Sequence, residues 1–196
     1  MGYEIDAVSA DCYEGTSCLI NRFGIRDEDK LADIEAAITF AKASELEKNP
    51  IEGRFDLVHY LSIHKFLFED IYGWAGTLRT VDISKMGTDF AKAEEIERLS
   101  ENCFNRLEKL NYFQNLPFED FIENIVDLYC VTNMIHPFRE GNGRVQRVFI
   151  SQLVRFNGYD IDFSVINPDD LMIATIQSAS GVRDNLLNVF KLIIKK

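Results

Sequence analysis

Twelve residues of this chain gather a base, an acid, two glycines, an amide and a spaced pair of arginines. They run His136-Pro137-Phe138-Arg139-Glu140-Gly141-Asn142-Gly143-Arg144, with Arg147 three positions on. His136, with an ordinary pKa of about 6.5, is mostly neutral near pH 7 and can accept a proton from an attacking hydroxyl. Arg144 and Arg147, at i and i+3, share one helix face and can grip successive phosphate groups. Glu140 among so many donors makes sense as the ligand of a Mg²⁺ that bridges those phosphates. Gly141 and Gly143 allow close backbone approach and positive φ.

The flanks dictate where this run sits. Upstream, Pro117 opens a helix on which Phe121, Ile122, Ile125, Val126, Leu128 and Tyr129 recur at helical spacing up to Met134 and Ile135. Downstream, Val145, Val148, Phe149, Leu153 and Val154 recur likewise until Asn157-Gly158. The polar run is therefore a loop between two buried helices, and its end is the first turn of the second. Such a turn presents unpartnered N–H groups and about half a positive charge, which suits phosphate above all. Each residue alone has a bland reading: a helix-end cap, a Gly-Asn-Gly turn, a solvated arginine face. Together, in a chain of net charge −11, a histidine, a glutamate and Arg139, Arg144, Arg147 and Arg155 argue for a phosphate site.

With 196 residues, 46% apolar and 27% charged, the chain has enough material for one hydrophobic core and one domain over 1–196, with an irregular lead-in to about residue 25. Its acidity argues against a general nucleic-acid binder. No apolar run has the length of a membrane span, and the first residues lack signal-peptide and myristoylation patterns. Cys12, Cys18, Cys103 and Cys130 have no C-x-x-C spacing and there are three histidines, so a zinc site is not expected and the cysteines read as reduced thiols of a cytoplasmic protein. No G-x-x-x-x-G-K-[ST] run is present, which excludes a P-loop NTPase.

Elsewhere, Asp27-Glu28-Asp29 opens a helix whose inward face is expected to be Leu31, Ile34, Ala37, Ile38 and Ala41. A second helix is expected from Arg54 to Trp74, with His64 and Trp74 as core packing. Leu78 to Phe90 alternates like a short hairpin turning at Lys85 to Thr88. A lone hairpin in a helical chain leaves a free edge, a feature kept when another chain adds a strand to it. Helices over 92–111, 171–179 and 186–194 complete the reading.

Three stretches resemble Fic-domain (filamentation induced by cAMP) proteins. His136 to Arg147 matches the family signature H-P-F-x-[DE]-G-N-G-R-x-x-R without mismatch. His64 to Arg79 resembles a second family stretch, and Val81 to Lys85 with Phe90-Ala91 resembles the family's target-docking flap. The likeness spans roughly residues 13 to 190. It implies an all-α, Fic-fold helical bundle with one short β-hairpin flap over the active site. The implied activity is transfer of AMP from ATP to a Ser, Thr or Tyr hydroxyl of a target protein. His136 would be the base and Glu140 would hold Mg²⁺. Gly141 to Gly143 and the Asn142 side chain would form an anion hole, Arg144 would bind the β-phosphate, and Arg147 the γ-phosphate. Phe138 would anchor the loop, and Thr80, Val81, Asp82, Ile83, Ser84 and Lys85 would dock the target. Rival readings are Doc-like phosphate transfer, disfavoured by Gly143 where Doc toxins carry Lys, transfer of UMP or phosphocholine, and an inactive binding module.

Many Fic proteins are inhibited by a helix of pattern [ST]-x-x-x-E-[GN], whose Glu pairs with the second motif arginine. No stretch here fits; Ser180 with Asp184-Asn185 has the spacing but carries Asp. The resemblance therefore implies the short toxin type, restrained by a separate antitoxin carrying that helix. DNA gyrase and topoisomerase IV are candidate targets, since some such toxins modify them.

Overall fold

The signature lies where two helices meet. In the computed structural model, which describes residues 4–5, 11–85 and 87–196, α4 (Phe118–Ile135) and α5 (Asn142–Phe156) are joined by the short loop that holds it. Pro117 caps α4, and Glu119 and Asp120 complement the positive end of its dipole. The apolar faces read from the sequence are the buried ones: Phe121, Ile122, Ile125 and Val126 on α4, and Val145, Phe149, Leu153 and Val154 on α5. Against this pair pack α2 (Leu57–Phe68), α3 (Ile96–Lys109), α6 (Pro168–Ala179) and α7 (Asp184–Ile193). Tyr60, Phe104 and Phe149 interlock across α2, α3 and α5 through tilted and edge-on ring contacts. The helix expected to reach Trp74 ends at Phe68, and turns carry the chain on.

Helix α1 (Glu28–Lys48) starts as expected, with the Asp27 carboxylate accepting the Lys30 N–H at 3.1 Å. Its inward face, however, is rotated from the expected one. Ala37 and Ala41 are exposed, while Glu35 and Thr39 are buried beside Leu31. Apolar periodicity assigns polar residues outward; here the two polar groups turn inward because Arg144 and Tyr72 wait there to bond them.

The β-structure also exceeds the expected single hairpin. Strands β2 (Ile83–Lys85) and β3 (Thr88–Asp89) form it, with Met86 of its turn outside the described residues. Strand β1 (Glu4–Ile5) then pairs antiparallel with the other side of β2, Glu4 opposite Ser84 and Ile5 opposite Ile83. The edge of β2 expected to be free is thus covered by the chain itself. A second, two-stranded ladder joins β4 (Asp160–Ile161) to β5 (Ile194–Lys195). The lead-in is built into the core from residue 11 on. Cys12 bridges to Leu19, Cys18 and Asn21 are buried, and the Arg22 N–H donates to the Ile71 carbonyl at 2.8 Å.

Candidate active site

The loop between α4 and α5 is fastened from three sides. Phe138 is wholly buried between the stacked rings of His64 (3.9 Å between centroids) and Tyr60 (5.4 Å); burial of such a ring contributes on the order of 2–3 kcal/mol. The Gly76 N–H donates to His64 Nδ1 at 2.7 Å, so the proton of His64 sits on Nε2, which donates to the Glu140 carbonyl at 3.2 Å. His64 is core, as expected, and it also braces the loop. Arg79, buried, donates from Nε to the His136 carbonyl at 2.8 Å and from its other nitrogens to Ile135, Val81 and Ala91 carbonyls. Its backbone N–H reaches Pro137. One guanidinium so ties the root of the flap to the loop, a role its place at the end of the second family-like stretch could have suggested.

Asn142 corrects one expectation. Its side chain does not face a ligand: Oδ1 accepts the Phe138 N–H at 2.8 Å and Nδ2 donates to the Phe138 carbonyl at 2.7 Å. It closes the loop on itself, so the donors of this turn that could meet an anion are the backbone N–H groups that start α5. Arg139, to which the motif gives no role, is buried and ties the lead-in to the loop, with Nε 3.6 Å from the Asp11 carboxylate and Nη2 beside Cys12 Sγ.

His136 ends α4 in the left-handed conformation (φ 46°). That turn places its Nδ1 3.0 Å from the Asn133 carbonyl. A carbonyl only accepts, so Nδ1 carries the proton and Nε2 the lone pair. The ring stacks on Phe90 of the flap at 3.8 Å. Burial outweighs the opposing Asn133 bond and, with smaller contributions from Arg79 and Lys85, lowers its pKa to about 3. The imidazole is therefore neutral near pH 7.

The two motif arginines differ. Arg144 is engaged by carboxylates of Glu35 and Glu140, by Thr39 Oγ1 at 3.2 Å, and by the face of Phe68 at 4.8 Å. Arg147 has no ion pair or hydrogen bond among the described residues, and burial lowers its pKa despite nearby Tyr129. Glu140 accepts the Gly141 N–H at 2.7 Å and Arg144 Nη2 at 3.2 Å, both on Oε1. Gly141, at φ 83°, must be glycine, since a Cβ there would meet the Phe68 ring at 2.1 Å. Glu35, Thr39 and Tyr72 escaped sequence reasoning; a carboxylate and a hydroxyl at i and i+4, in phase with Leu31, were the available signal.

His136, Gly143 and Arg147 share the wall of an open cleft of about 270 Å³. Lys85, Thr88 and Phe90 of the flap form a second side. Tyr129 and, from α6, Leu171, Met172, Thr175 and Ile176 form an apolar third. Of the expected flap residues, Lys85 reaches the cleft. Ile83 is buried in the sheet, Ser84 lies at the β1 pairing, and Val81 and Thr80 lead into it, Thr80 exposed. Asp82 is structural: it accepts the Ala93 N–H at 2.8 Å and pairs with Lys92 at 2.9 Å.

A basic, apolar-walled cleft at a helix N-terminus, with a committed histidine tautomer beside it, agrees with what the comparisons return. The Fic/DOC family model matches residues 54–154. The chain belongs to the Fic/DOC family. It is 37% identical to the protein adenylyltransferase VbhT of Bartonella schoenbuchensis over 86% of its own length, spanning 35% of that protein. It is 35% identical to the probable protein adenylyltransferase y4lH of Sinorhizobium fredii, covering 87% of this chain and 88% of the relative. Its fold matches that of the BepC effector of Bartonella tribocorum, solved with bound AMPPNP, with a TM-score of 0.86 at 27% identity, over 94% of this chain and 95% of the other. The helical Fic fold with its hairpin is therefore this chain's fold. No helix of the described residues is long and apolar enough to cross a membrane.

Proposed function

We propose that this chain is a protein adenylyltransferase that transfers AMP from ATP to a Ser, Thr or Tyr hydroxyl of a target protein. The observation that carries the reading is Arg147: a half-buried guanidinium, unpaired among the described residues of a strongly acidic chain, lining one cleft with His136. Such a charge awaits an anion. Relatives named as adenylyltransferases and the AMPPNP held by the BepC effector support ATP as that anion.

In this reading the target hydroxyl oxygen attacks the α-phosphorus, the bond from that phosphorus to the α,β-bridging oxygen breaks, and pyrophosphate leaves. His136 Nε2 takes the hydroxyl proton. The negative charge of a bound triphosphate would raise the basicity that burial lowers. The N–H groups at the start of α5 face charge that grows on the α-phosphate. Arg147 holds the γ-phosphate, and Arg144 reaches the β-phosphate once it releases Glu140. The apolar wall from α6 suits the nucleotide base.

Glu140 fits a Mg²⁺ that arrives with the nucleotide: its Oε2 carries no bond to protein among the described residues. No group of three or more His, Cys, Asp or Glu side chains that could hold a metal occurs among the described residues; in this reading phosphate and water oxygens would supply the remaining ligands. When bound, the ion neutralises phosphate charge.

A target segment would add to the flap as a strand. DNA gyrase and topoisomerase IV subunits are the candidate targets. A small antitoxin helix with a Glu opposite Arg147 would restrain the enzyme, and the free thiols of Cys12, Cys18, Cys103 and Cys130 suit a cytoplasmic setting. Intact-mass analysis of proteins co-expressed with the chain tests the reaction: the increment of one AMP supports it, and that of one phosphate overturns it. Arg147→Ala should weaken ATP binding and antitoxin inhibition together.

A further inference from the structure

We infer that Glu35, held by Tyr72, is a positioning residue that keeps Arg144 from capturing Glu140, and so keeps Glu140 available to Mg²⁺. The inference rests on the adenylyltransferase reading above.

Glu35 projects from α1 into the core, with a side chain 9% exposed. Both carboxylate oxygens are engaged: Oε1 by Arg144 Nη2 and Oε2 by the Tyr72 hydroxyl. Burial and the neighbouring Glu35 charge push the Tyr72 pKa up, so its hydroxyl stays a donor. Thr39, one turn along α1, accepts from Arg144 Nη1, and the Phe68 ring lies under the guanidinium. Burial works against the charge of Arg144, but Glu35 and Glu140 more than offset it and hold its pKa above the ordinary value.

A buried ion pair is a poor device for stability alone, because apolar residues of similar volume fill such space without the desolvation cost. Its placement suggests another use. Arg144, in the first turn of α5, lies four residues after Glu140 of the loop, and the pair stands 3.2 Å apart. With a second carboxylate fixed on the far side, the arginine is shared. Mg²⁺ therefore competes with a guanidinium already satisfied elsewhere, and Glu140 can turn to the ion while Arg144 keeps its seat on Glu35. Without Glu35, the whole charge of Arg144 falls to Glu140, and the site gains one positive charge exactly where a cation must enter, which by Coulomb's law disfavours it.

The test is binding of a non-hydrolysable ATP analogue to the full chain by calorimetry, repeated across a Mg²⁺ titration. Glu35→Gln should raise the Mg²⁺ concentration for half-maximal Mg²⁺-dependent binding by about tenfold or more, while metal-free binding of the analogue persists. Glu35→Asp, which keeps the charge, should recover most of the shift. Tyr72→Phe, which loosens the carboxylate without removing it, should shift the Mg²⁺ requirement in the same direction by less, and it serves if Glu35→Gln does not fold. A folded Glu35→Gln chain with the wild-type Mg²⁺ requirement overturns the inference, as does an unshifted Tyr72→Phe chain. Failure of the wild-type chain to bind the analogue at any Mg²⁺ concentration overturns the parent reading instead.

Discussion

His136 and Phe90 lie face to face, ring centroids 3.8 Å apart and planes inclined by 15°. The residue read as the base is thus held by the residue just past β3 of the flap, and by the Asn133 carbonyl behind it. Base orientation and flap position are one mechanical unit, locked further by Arg79, which bonds the carbonyls of His136 and of Val81 and Ala91.

That coupling separates two variants. His136→Ala removes the proton acceptor but leaves Arg147 and the start of α5, so nucleotide should still bind while transfer falls by about 10²-fold or more. Phe90→Ala leaves the base chemically intact but free to turn, so transfer should fall less, mainly in kcat, with nucleotide affinity little changed. Equal losses in the two variants would argue that Phe90 touches the substrate rather than orienting His136.

Gly141 offers a prediction about the loop alone. At φ 83°, with Phe68 Cζ 2.1 Å from the position of a Cβ, Gly141→Ala meets both left-handed strain of roughly 1–2 kcal/mol and a clash of about 1–3 kcal/mol. Gly158→Ala, at φ 81° but with nothing within 4 Å, meets strain alone. Denaturant midpoints should fall markedly for the first and modestly for the second. Adding Phe68→Leu to Gly141→Ala should recover part of the loss, a coupling that a double-mutant cycle measures directly.

Much of this was legible in the sequence, for identifiable reasons. The α4–loop–α5 unit could be read because apolar residues recur at helical spacing on both sides of an unusual polar run, and Phe138 because an aromatic inside that run has nowhere to go but inward. Glu35 could not, since its partner Arg144 lies 109 positions away and periodicity treats a carboxylate on an apolar face as an irregularity. Strand β1 could not either: two residues have no period, and their pairing depends on where β2 ends up. Asn142 was read as a ligand because the motif implies exposure to the anion, whereas the turn it closes needs both of its amide atoms.

The buried histidines predict acid lability. The pKa of His136 and that of His64 are each lowered to about 3, chiefly by burial, and His59 is lowered for the same reason. In the unfolded chain these groups titrate near 6.5. Between about pH 6.5 and 3 the unfolded state therefore binds more protons than the folded one, and stability must fall as pH falls through that window. It is fully present above it. The loss approaches on the order of 1 kcal/mol per pH unit for each histidine. Urea midpoints at pH 7.5, 6.0 and 5.0 should decline steadily; a flat profile across those values would show that the histidines are solvated in the native state.

The last prediction concerns the covered edge of the flap. Glu4 and Ile5 pair with Ser84 and Ile83, so the side of β2 suited to a target strand already carries one from the same chain. A target that docks there must displace it, and the cost of displacement lowers apparent affinity. A chain beginning at Asp11 keeps the Arg139 contacts to Asp11 and Cys12 but loses β1. It should label proteins in a lysate with AMP severalfold faster than the full chain, with nucleotide affinity unchanged. A synthetic peptide of residues 1–10, added back, should suppress the gain. If the shortened chain labels targets at the same rate or more slowly, β1 is part of the docking platform, or targets add beyond Thr88 and Asp89 of β3 instead. Amide hydrogen exchange at Ile83 to Lys85 reports the opening of the edge independently of transfer, and it should accelerate in the shortened chain whichever way the labelling falls.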